Sequence, residues 1–343
     1  SGPVVVELTG DVCSQSNAKT IGEYTPPAML GQAPDSSDIA DAAGALIRAE
    51  RPMLWAGSGV LFAGATEELK TLAELLGTPV FTTMGGKSAF DERHPLALGA
   101  GCGTTTGPAH HWIQHCDLLL AIGSSLTRSP YAQQIPNGPL LIQNTNNPDE
   151  IGKDENINIG LAGDAKLTLQ ALIDAVKGEI GDSPRDSKTT QKDIAQLRSD
   201  WLAEWTPLLE SEFLPLNTYR VIREIDHNLD RENSIVTHDA GAPRDSIVPF
   251  YTATTPHSYI GWGKTTHLGF GIPLMIGAKL AHPEKFCLNL MGDGAFGMSG
   301  MDIETAVRSG VPITTVLLNN GGMATYPGGF PTAREHYGVS SMT

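Results

Sequence analysis

Carboxylate, amide and glycine residues cluster at two turns in the last quarter of the chain. Gly292-Asp293-Gly294 follows the apolar run 285–291, and Asn319-Asn320 follows a second apolar run at 312–318. Carboxylate and amide oxygens suit Mg²⁺ better than soft metals. Flanking glycines let backbone N–H groups approach an anion closely. The residue types therefore predict a site for magnesium and phosphate.

One βαβ unit is expected to position both turns. Each apolar run is short enough for a buried strand, and residues 299–308 between them have a helical pattern. The carboxyl ends of parallel strands share one edge of a sheet, where such sheets bind ligands. Two unrelated surface turns are the alternative, but the strand, helix and strand that separate them argue against it.

Composition and charge exclude several classes of protein. A chain of 343 residues is too long for one ordinary core, so two or more domains are expected. The net charge of -15 predicts no nucleic-acid partner and no anionic membrane partner. No apolar run is long enough to cross a bilayer. Scattered cysteines without a CxxC pair, and no secretory apolar segment, favour a cytoplasmic location.

Helical and strand patterns alternate along most of the chain. This alternation predicts an α/β fold with two doubly wound, mostly parallel sheet domains. A β-branched run at residues 2–8 predicts one further strand that has nothing before it to pair with. The predicted boundaries are 1–13 for this strand segment, 14–36 for a linker, 37–177 for the first sheet domain, 178–191 for a second linker and 192–343 for the second sheet domain.

Two weaker motifs lie in the first sheet domain. Gly57-Ser58-Gly59 follows a strand, but Gly64 comes too late for GxGxxG, so nucleotide binding is the minority interpretation and a plain turn the main one. His111 and His115 are spaced as on a metal-binding helix, but no third ligand is evident. A solvated or hydrogen-bonded histidine pair is the favoured interpretation.

The motifs together resemble the thiamine-diphosphate-dependent enzymes, in the branch of acetolactate synthase, oxalyl-CoA decarboxylase and 2-hydroxyacyl-CoA lyase. The segments that carry the resemblance are Met84-Gly85-Gly86-Lys87, His94-Pro95, Asp117–Gly123, Glu150–Lys153, Gly292–Gly297 and Glu304-Thr305-Ala306. The resemblance extends along essentially the whole chain. It implies a central domain at 37–177 and a C-terminally incomplete diphosphate-binding domain at 192–343. Residues 1–13 would be the last strand of a pyrimidine-binding domain that is missing upstream.

The resemblance also implies a set of site residues. Those expected to hold Mg²⁺ are Asp293, Asn320 and the backbone carbonyl of Gly322. Those expected to contact thiamine diphosphate are Gly241, Ala242, Thr266, Leu268, Gly292, Gly294, Ala295, Asn320 and Met323. Leu268 matches the apolar wedge under the folded cofactor, although an ordinary core leucine is the alternative. His238 and His267, with His257 nearby in sequence, are the candidate acid or base residues, or else polar lining.

Two departures from the family pattern limit what is carried over. The glutamate that activates the cofactor lies in the upstream domain, so this chain alone is expected to be inactive, and the family's active sites form between the subunits of a homodimer or homotetramer. Central domains that bind FAD or the ADP part of coenzyme A usually carry an arginine where this sequence has Ser125. Arg128 is the nearest replacement. FAD or ADP/CoA in the central domain is therefore in doubt.

The function expected first is thiamine-diphosphate-dependent cleavage or formation of a C–C bond in a small-molecule substrate. The substrate would be a 2-oxo or 2-hydroxy acid or its CoA thioester, as in a 2-hydroxyacyl-CoA lyase or a decarboxylase. One alternative is an acetolactate-synthase-like carboligase of 2-oxo acids. Another is a non-catalytic relative that serves as a nucleotide-binding or scaffold module.

Overall fold

The computed structural model describes residues 5–16, 22, 25, 31–262, 267–321 and 335–336. Three predicted site residues, Thr266, Gly322 and Met323, lie outside the described residues. The chain divides into two units, residues 1–31 and residues 32–343, and each is described by itself.

The first unit lacks the predicted strand in its described part. Residues 5–9 are exposed and not in a strand, and the short helix α1 follows at Gly10–Cys13. A strand forms only when its backbone groups are hydrogen-bonded to a neighbouring strand, and residues 5–9 pair with no strand among the described residues. The assignment of residues 1–13 to the last strand of an upstream domain stays a prediction.

A six-stranded parallel sheet organises the first part of the second unit. Its strands are β1 Pro52–Ala56, β2 Val80–Thr83, β3 Ala97–Gly101, β4 Leu118–Ile122, β5 Leu140–Thr145 and β6 Ile159–Ala162. The strand order is β3-β2-β1-β4-β5-β6, and every pair is parallel. β4 is buried at every position, as a continuous apolar run predicts for a strand covered on both faces.

Helices cover both faces of this sheet. They are α2 Ser36–Arg48, α3 Ser58–Phe62, α4 Thr66–Leu76, α5 Gly107–His115, α6 Ala165–Ile180 and α7 Lys188–Leu209. Side chains of α2, α4 and α6 pack with Leu54 and Leu120 on one face, whereas α5 and α7 pack with Trp55 and Leu119 on the other. Successive strand residues point to opposite faces, which is why neighbours in sequence enter different cores.

The helix ends differ from the predicted linkers. Asp35 caps α2 by accepting a 2.8 Å hydrogen bond from Ser37 N, so the helix begins at Ser36, the last residue of the predicted linker at 14–36. α6 continues to Ile180, and α7 begins at Lys188. The non-helical connection is therefore residues 181–187, shorter than the predicted linker at 178–191.

The second sheet has four parallel strands. They are β7 Ser234–His238, β8 Tyr259–Ile260, β9 Phe286–Gly292 and β10 Thr314–Leu318, in the order β10-β9-β7-β8. Its helices are α8 Thr218–Asn228, α9 Ala242–Phe250, α10 Gly271–Ala281, α11 Asp293–Ser299 and α12 Asp302–Arg308. Short 3₁₀ helices occur at Met84–Gly86, Pro148–Glu150 and Arg231–Asn233. Two mostly parallel sheets with helices confirm the predicted α/β class.

The segment between β9 and β10 contains two helices where the sequence predicted one at 299–308. α11 begins directly at Asp293, and α12 ends at Arg308 as predicted. Asp293 is therefore the first residue of a helix, where a carboxylate interacts favourably with the helix dipole.

None of the helices formed by the described residues is long and apolar enough to cross a membrane.

Candidate functional site

The candidate site lies at the switch point of the four-stranded sheet, where the order of successive strands reverses. The chain leaves β7 toward β8 on one side, and it continues from β9 to β10 on the other. Ligands bind at such switch points, at the carboxyl ends of the strands. The backbone N–H of Asp239 donates to Leu290 O over 2.8 Å, which holds the turn after β7 against β9. The turns after β7, β9 and β10 therefore share one crevice.

Asp293 has one carboxylate oxygen that the protein does not use. Oδ1 accepts a 3.0 Å hydrogen bond from Gly294 N, whereas Oδ2 is buried and has no hydrogen-bond partner among the described residues. A buried oxygen without a donor is costly, because it has lost its hydration. A bound cation would compensate that loss, so the chemistry of Asp293 fits a metal ligand.

Asn320 is brought to the same edge by strand pairing. Leu318, two residues before it, lies opposite Gly292 in the parallel register of β10 and β9. Among the described residues, no cluster of three or more His, Cys, Asp and Glu side chains could hold a metal. Asp293 and Asn320 offer a carboxylate and an amide oxygen, which are ligand types that suit Mg²⁺.

The turn at Gly241 and the turn at Gly292 adjoin each other. Gly241 has a φ of 81°, a conformation that glycine adopts without strain, and it leads into α9 at Ala242. A Cβ placed on Gly292 would lie 3.9 Å from Pro243 Cγ, in ordinary contact. The backbone N–H groups at the start of α9 can therefore serve an anion beside the Asp293 turn. Gly294 and Ala295, also predicted to contact the cofactor, are buried in α11.

The segment that carries Leu268 packs against the same crevice. Leu268 is half-buried against a small core of Ile272, Met291 and Ala295. A Cβ on Gly269, whose φ is 87°, would approach Ser299 Oγ to 3.2 Å. Leu268 is thus packed against side chains of α10, β9 and α11, and its role as the wedge under the cofactor stays a prediction.

Asp239 is a residue of this site that sequence reasoning missed. Its carboxylate is fully buried and accepts three backbone hydrogen bonds, from Ala240 at 2.8 Å and from Gly269 and Gly271 at 3.0 Å each. It therefore ties the end of β7 to the Leu268 segment and to the first turn of α10. Asp239 follows a strand directly, just as Asp293 does, but this position alone does not reveal its distant backbone partners.

The three histidines are not brought together. The ring of His238 is fully buried near Tyr259, and burial lowers its pKa to about 3. His238 is therefore neutral near pH 7, and its Nε2 has no partner among the described residues. His267 is exposed, at 6.5 Å from the Trp262 ring. His257 precedes β8 and so lies at the opposite, amino-terminal edge of the sheet.

The acid or base role predicted for His238 has to be revised in one respect. A ring with a pKa near 3 carries only one N–H proton and no charge at neutral pH, so His238 cannot act as a cationic acid in this environment. A neutral ring can still donate or accept a hydrogen bond. The role of His267 stays a prediction.

Arg244 connects the crevice to the six-stranded sheet domain. Its side chain is almost fully buried in the first turn of α9, with Nη2 2.7 Å from Asp245 Oδ1. The guanidinium lies over the ring of Tyr131, 4.8 Å from its centroid. Tyr131 follows β4, so the two sheet domains meet beside the candidate site.

Two family models match the chain. Residues 39–172 match the central domain of thiamine pyrophosphate enzymes, and residues 239–341 match their C-terminal TPP binding domain. The second match contains the turns at Gly241, Asp293 and Asn320.

Curated relatives are similar over most of this chain. The probable acetolactate synthase large subunit of Methanocaldococcus jannaschii is 32% identical over 336 residues, which are 93% of this chain and 55% of the relative. The corresponding protein of Methanococcus aeolicus is 30% identical over 340 residues, with the same shares. The acetolactate synthase isozyme 3 large subunit of Escherichia coli is 27% identical over 326 residues, 93% of this chain and 56% of the relative. The chain thus spans about 55% of the length of these relatives.

Proposed function

Because the chain belongs to the thiamine pyrophosphate enzymes, we propose that it binds thiamine diphosphate with Mg²⁺ at the switch-point crevice and acts as a carboligase of 2-oxo acids. The observation that carries this proposal is the buried, unpartnered Oδ2 of Asp293 beside the Gly241 turn. A divalent cation supplies what that oxygen lacks, and a diphosphate supplies further oxygens to the cation.

Different residues of the crevice would bind Mg²⁺ and the different parts of thiamine diphosphate. Asp293 and Asn320 would hold Mg²⁺, and the N–H groups that follow Gly241 would meet the diphosphate. Leu268 would support the folded cofactor from below, because Asp239 fixes its segment by two hydrogen bonds. The predicted contacts of Thr266, Gly322 and Met323 remain proposals.

Bound thiamine diphosphate supplies a carbon nucleophile that also accepts the electron pair released when a C–C bond next to a carbonyl breaks. The chain's own residues bind the charged end of the cofactor and keep water away from it. The neutral ring of His238, buried at the end of β7, adds a polar but uncharged group to this lining. We propose that a homodimer or homotetramer completes each active site between subunits, as the family resemblance implies.

The carboligase is placed before the lyase because of the relatives. Each relative described above is named as an acetolactate synthase large subunit or a probable one. The resemblance of Gly297-Met298-Ser299-Gly300-Met301 to the lyase branch supports 2-hydroxyacyl-CoA cleavage or decarboxylation as the second candidate. Both candidates use the same cofactor site and differ in the substrate.

Cofactor binding is tested first, by titrating the complete gene product with thiamine diphosphate in the presence of Mg²⁺. Asp293→Ala should weaken binding by about 100-fold or more, since the loss of a supporting residue alone typically costs 10–100-fold in metal affinity. Asp302→Ala, an acidic residue at the start of α12, is the matched control and should bind as the wild type does. Binding unaffected by Asp293→Ala, or no binding at all, would favour the non-catalytic scaffold.

The substrate is tested by a screen with pyruvate, oxalyl-CoA and 2-hydroxyacyl-CoA thioesters. A carboligase should form a 2-hydroxy-2-methyl-3-oxo acid from two molecules of pyruvate with release of CO₂. Turnover of the CoA thioesters alone would overturn the carboligase and support the lyase.

A further inference from the structure

A second cavity lies at the switch point of the six-stranded sheet. It has a volume of about 150 Å³ and opens between the carboxyl ends of β1 and β4. Trp55, Thr83, Cys102, Ser125 and Tyr131 are among its lining residues. Open α/β sheets bind nucleotides at this place, where the sequence puts FAD or the ADP part of coenzyme A in doubt. The lining can therefore be compared with what a nucleotide needs.

The glycine turn after β1 is used for packing and not as an open cradle. The N–H of Gly57 donates to Ile122 O over 2.9 Å, and the N–H of Gly59 donates to Gly123 O over 3.0 Å. A Cβ on Gly57 would lie only 2.3 Å from Gly123 O. The glycines thus allow two turns to touch, and the N–H groups of both glycines are already bonded within the protein, so that neither is open to a phosphate.

The cavity also lacks the groups that hold a dinucleotide. Dinucleotide sites place an Asp or Glu at the end of the second strand of the βαβ unit, where it binds the ribose. The residues in that place here are Thr83, Met84 and Gly85. The volume is about half of the smallest typical ligand pocket of ~300 Å³.

One ion pair accounts for all the charge in the lining. Among the described residues that line the cavity, Arg128 and Glu155 alone are charged. Arg128 Nε lies 2.8 Å from Glu155 Oε1, and Arg128 Nη2 lies 2.8 Å from Glu155 Oε2. Such a fork is the geometry in which arginine binds phosphate, so Glu155 occupies the contacts that a phosphate would need.

A second carboxylate, that of Asp154, also contacts Arg128. Asp154 Oδ2 accepts a hydrogen bond of 3.2 Å from the backbone N–H of Arg128. Arg128 thus has two carboxylates as hydrogen-bond partners, and a diphosphate would have to displace Glu155 to reach its guanidinium.

We propose that the Arg128–Glu155 ion pair closes the central-domain cavity to nucleotide phosphates, so that this chain holds neither FAD nor the ADP part of coenzyme A there. Glu155 prevents phosphate binding because it occupies the guanidinium of Arg128, which could otherwise bind an anion. The proposal concerns binding in the central domain; it is independent of the carboligase reaction proposed above and disfavours the second candidate, which acts on CoA thioesters.

The test measures binding of ADP and FAD to the full chain by calorimetric titration. The wild type should bind neither at micromolar concentration, and protein dialysed after mixing with FAD should show no flavin absorbance. Glu155→Gln keeps the side-chain volume and removes the charge, so it should tighten ADP binding at least about tenfold. Adding Arg128→Met to this variant should abolish the gain.

The matched control is the other forked arginine–glutamate pair, Arg308 with Glu304 on α12. Glu304→Gln also frees an arginine, but away from the cavity, and should leave ADP binding unchanged. Micromolar binding of ADP or FAD by the wild type would overturn the proposal. A folded Glu155→Gln variant without any gain would also overturn it, and the wild-type titration decides by itself if that variant does not fold.

Discussion

The carboxylates of Asp239 and Asp293, at the ends of neighbouring strands, have different roles at the candidate site. Asp239 uses both oxygens on backbone N–H groups, whereas Asp293 leaves Oδ2 without a partner among the described residues. The first is therefore suited to holding the protein's own segment in place, and the second to holding a cation. Their sequence contexts are similar, so the hydrogen bonds and not the residue type separate the two roles.

Asp239→Asn should loosen the Leu268 segment. An asparagine keeps one acceptor oxygen and places an NH₂ group against backbone N–H groups, so at least one charge-assisted bond of about 1.5–3 kcal/mol is lost. We expect the thiamine diphosphate concentration for half-maximal activity to rise while Mg²⁺ still binds. Faster hydrogen exchange at Gly269 and Gly271 would identify the segment that moves, and unchanged exchange there would argue against this role.

His238 should make stability depend on pH in the acid range. Burial lowers its pKa to about 3 from the ordinary 6.5, so the unfolded state binds more protons between these values. Stability should therefore be complete above pH 6.5 and decrease as the pH falls toward 3. From pH 7 to pH 5 the loss from this residue is about 2 kcal/mol. Urea unfolding of His238→Phe should show a shallower decrease, and equal slopes would contradict the assignment.

Residue types predicted part of this site and left out another part. Asp293, Asn320 and the glycine turns could be predicted because they stand directly after apolar strands. Asp239 could not be distinguished from a surface turn residue, since its partners at Gly269 and Gly271 are distant in sequence. The burial of His238 also depends on contacts across the fold.

At the scale of elements, apolar runs indicate strands more clearly than small residues do. β4 is a continuous apolar segment and β9 is apolar except for Asn289, whereas β3 contains alanine and glycine and no β-branched residue. The prolines in α9 hide a helix from sequence reasoning. Pro243 lies in the first turn, where a helix needs no N–H donor, so the helix forms around it.

Gly271 sets how closely α10 approaches β9. A Cβ there would lie 2.3 Å from Asn289 Oδ1. Gly271→Ala should therefore displace the start of α10, lower stability by about 1–3 kcal/mol and weaken thiamine diphosphate binding. Thermal unfolding and cofactor titration measure the two effects.

The same helix provides a control for Gly271→Ala. A Cβ on Gly277 meets nothing within 4 Å, so Gly277→Ala should be neutral or stabilise the helix by roughly 0.5–1 kcal/mol. Gly271→Ala combined with Asn289→Ala should recover much of the loss. If Gly271→Ala behaves like Gly277→Ala, the close approach is not important.

At the scale of the molecule, a buried ion pair joins the two sheet domains. Lys87 Nζ lies 2.6 Å from Glu92 Oε2, and both side chains are almost fully buried. The same Glu92 oxygen accepts a 2.7 Å hydrogen bond from Ala253 N, and Lys87 Nζ lies 5.4 Å from the centre of the Tyr259 ring. Burial raises the pKa of Glu92, and Lys87 opposes that change.

Lys87→Met should destabilise the chain by about 3–5 kcal/mol, because it leaves a carboxylate buried without its cation. Lys87→Met with Glu92→Gln removes both charges and keeps an acceptor for Ala253 N, so it should be more stable than Lys87→Met alone. Arg308→Met, which breaks an exposed pair with Glu304, should cost only about 0–1 kcal/mol. Urea unfolding compares the three, and equal losses for Lys87→Met and Arg308→Met would show that burial does not matter.

The contact between the domains has a consequence for recombination among relatives. A Cβ on Gly261 would lie 2.1 Å from Met84 O, so the backbones touch beside the pair of Lys87 and Glu92. A chimera that takes one sheet domain from another enzyme would have to inherit residues 84–92 and 253–261 from the same parent. The two domains should therefore be exchanged together, although each has a sheet of its own, because Met84, Ala100 and Cys102 pack in one core with residues of the second domain.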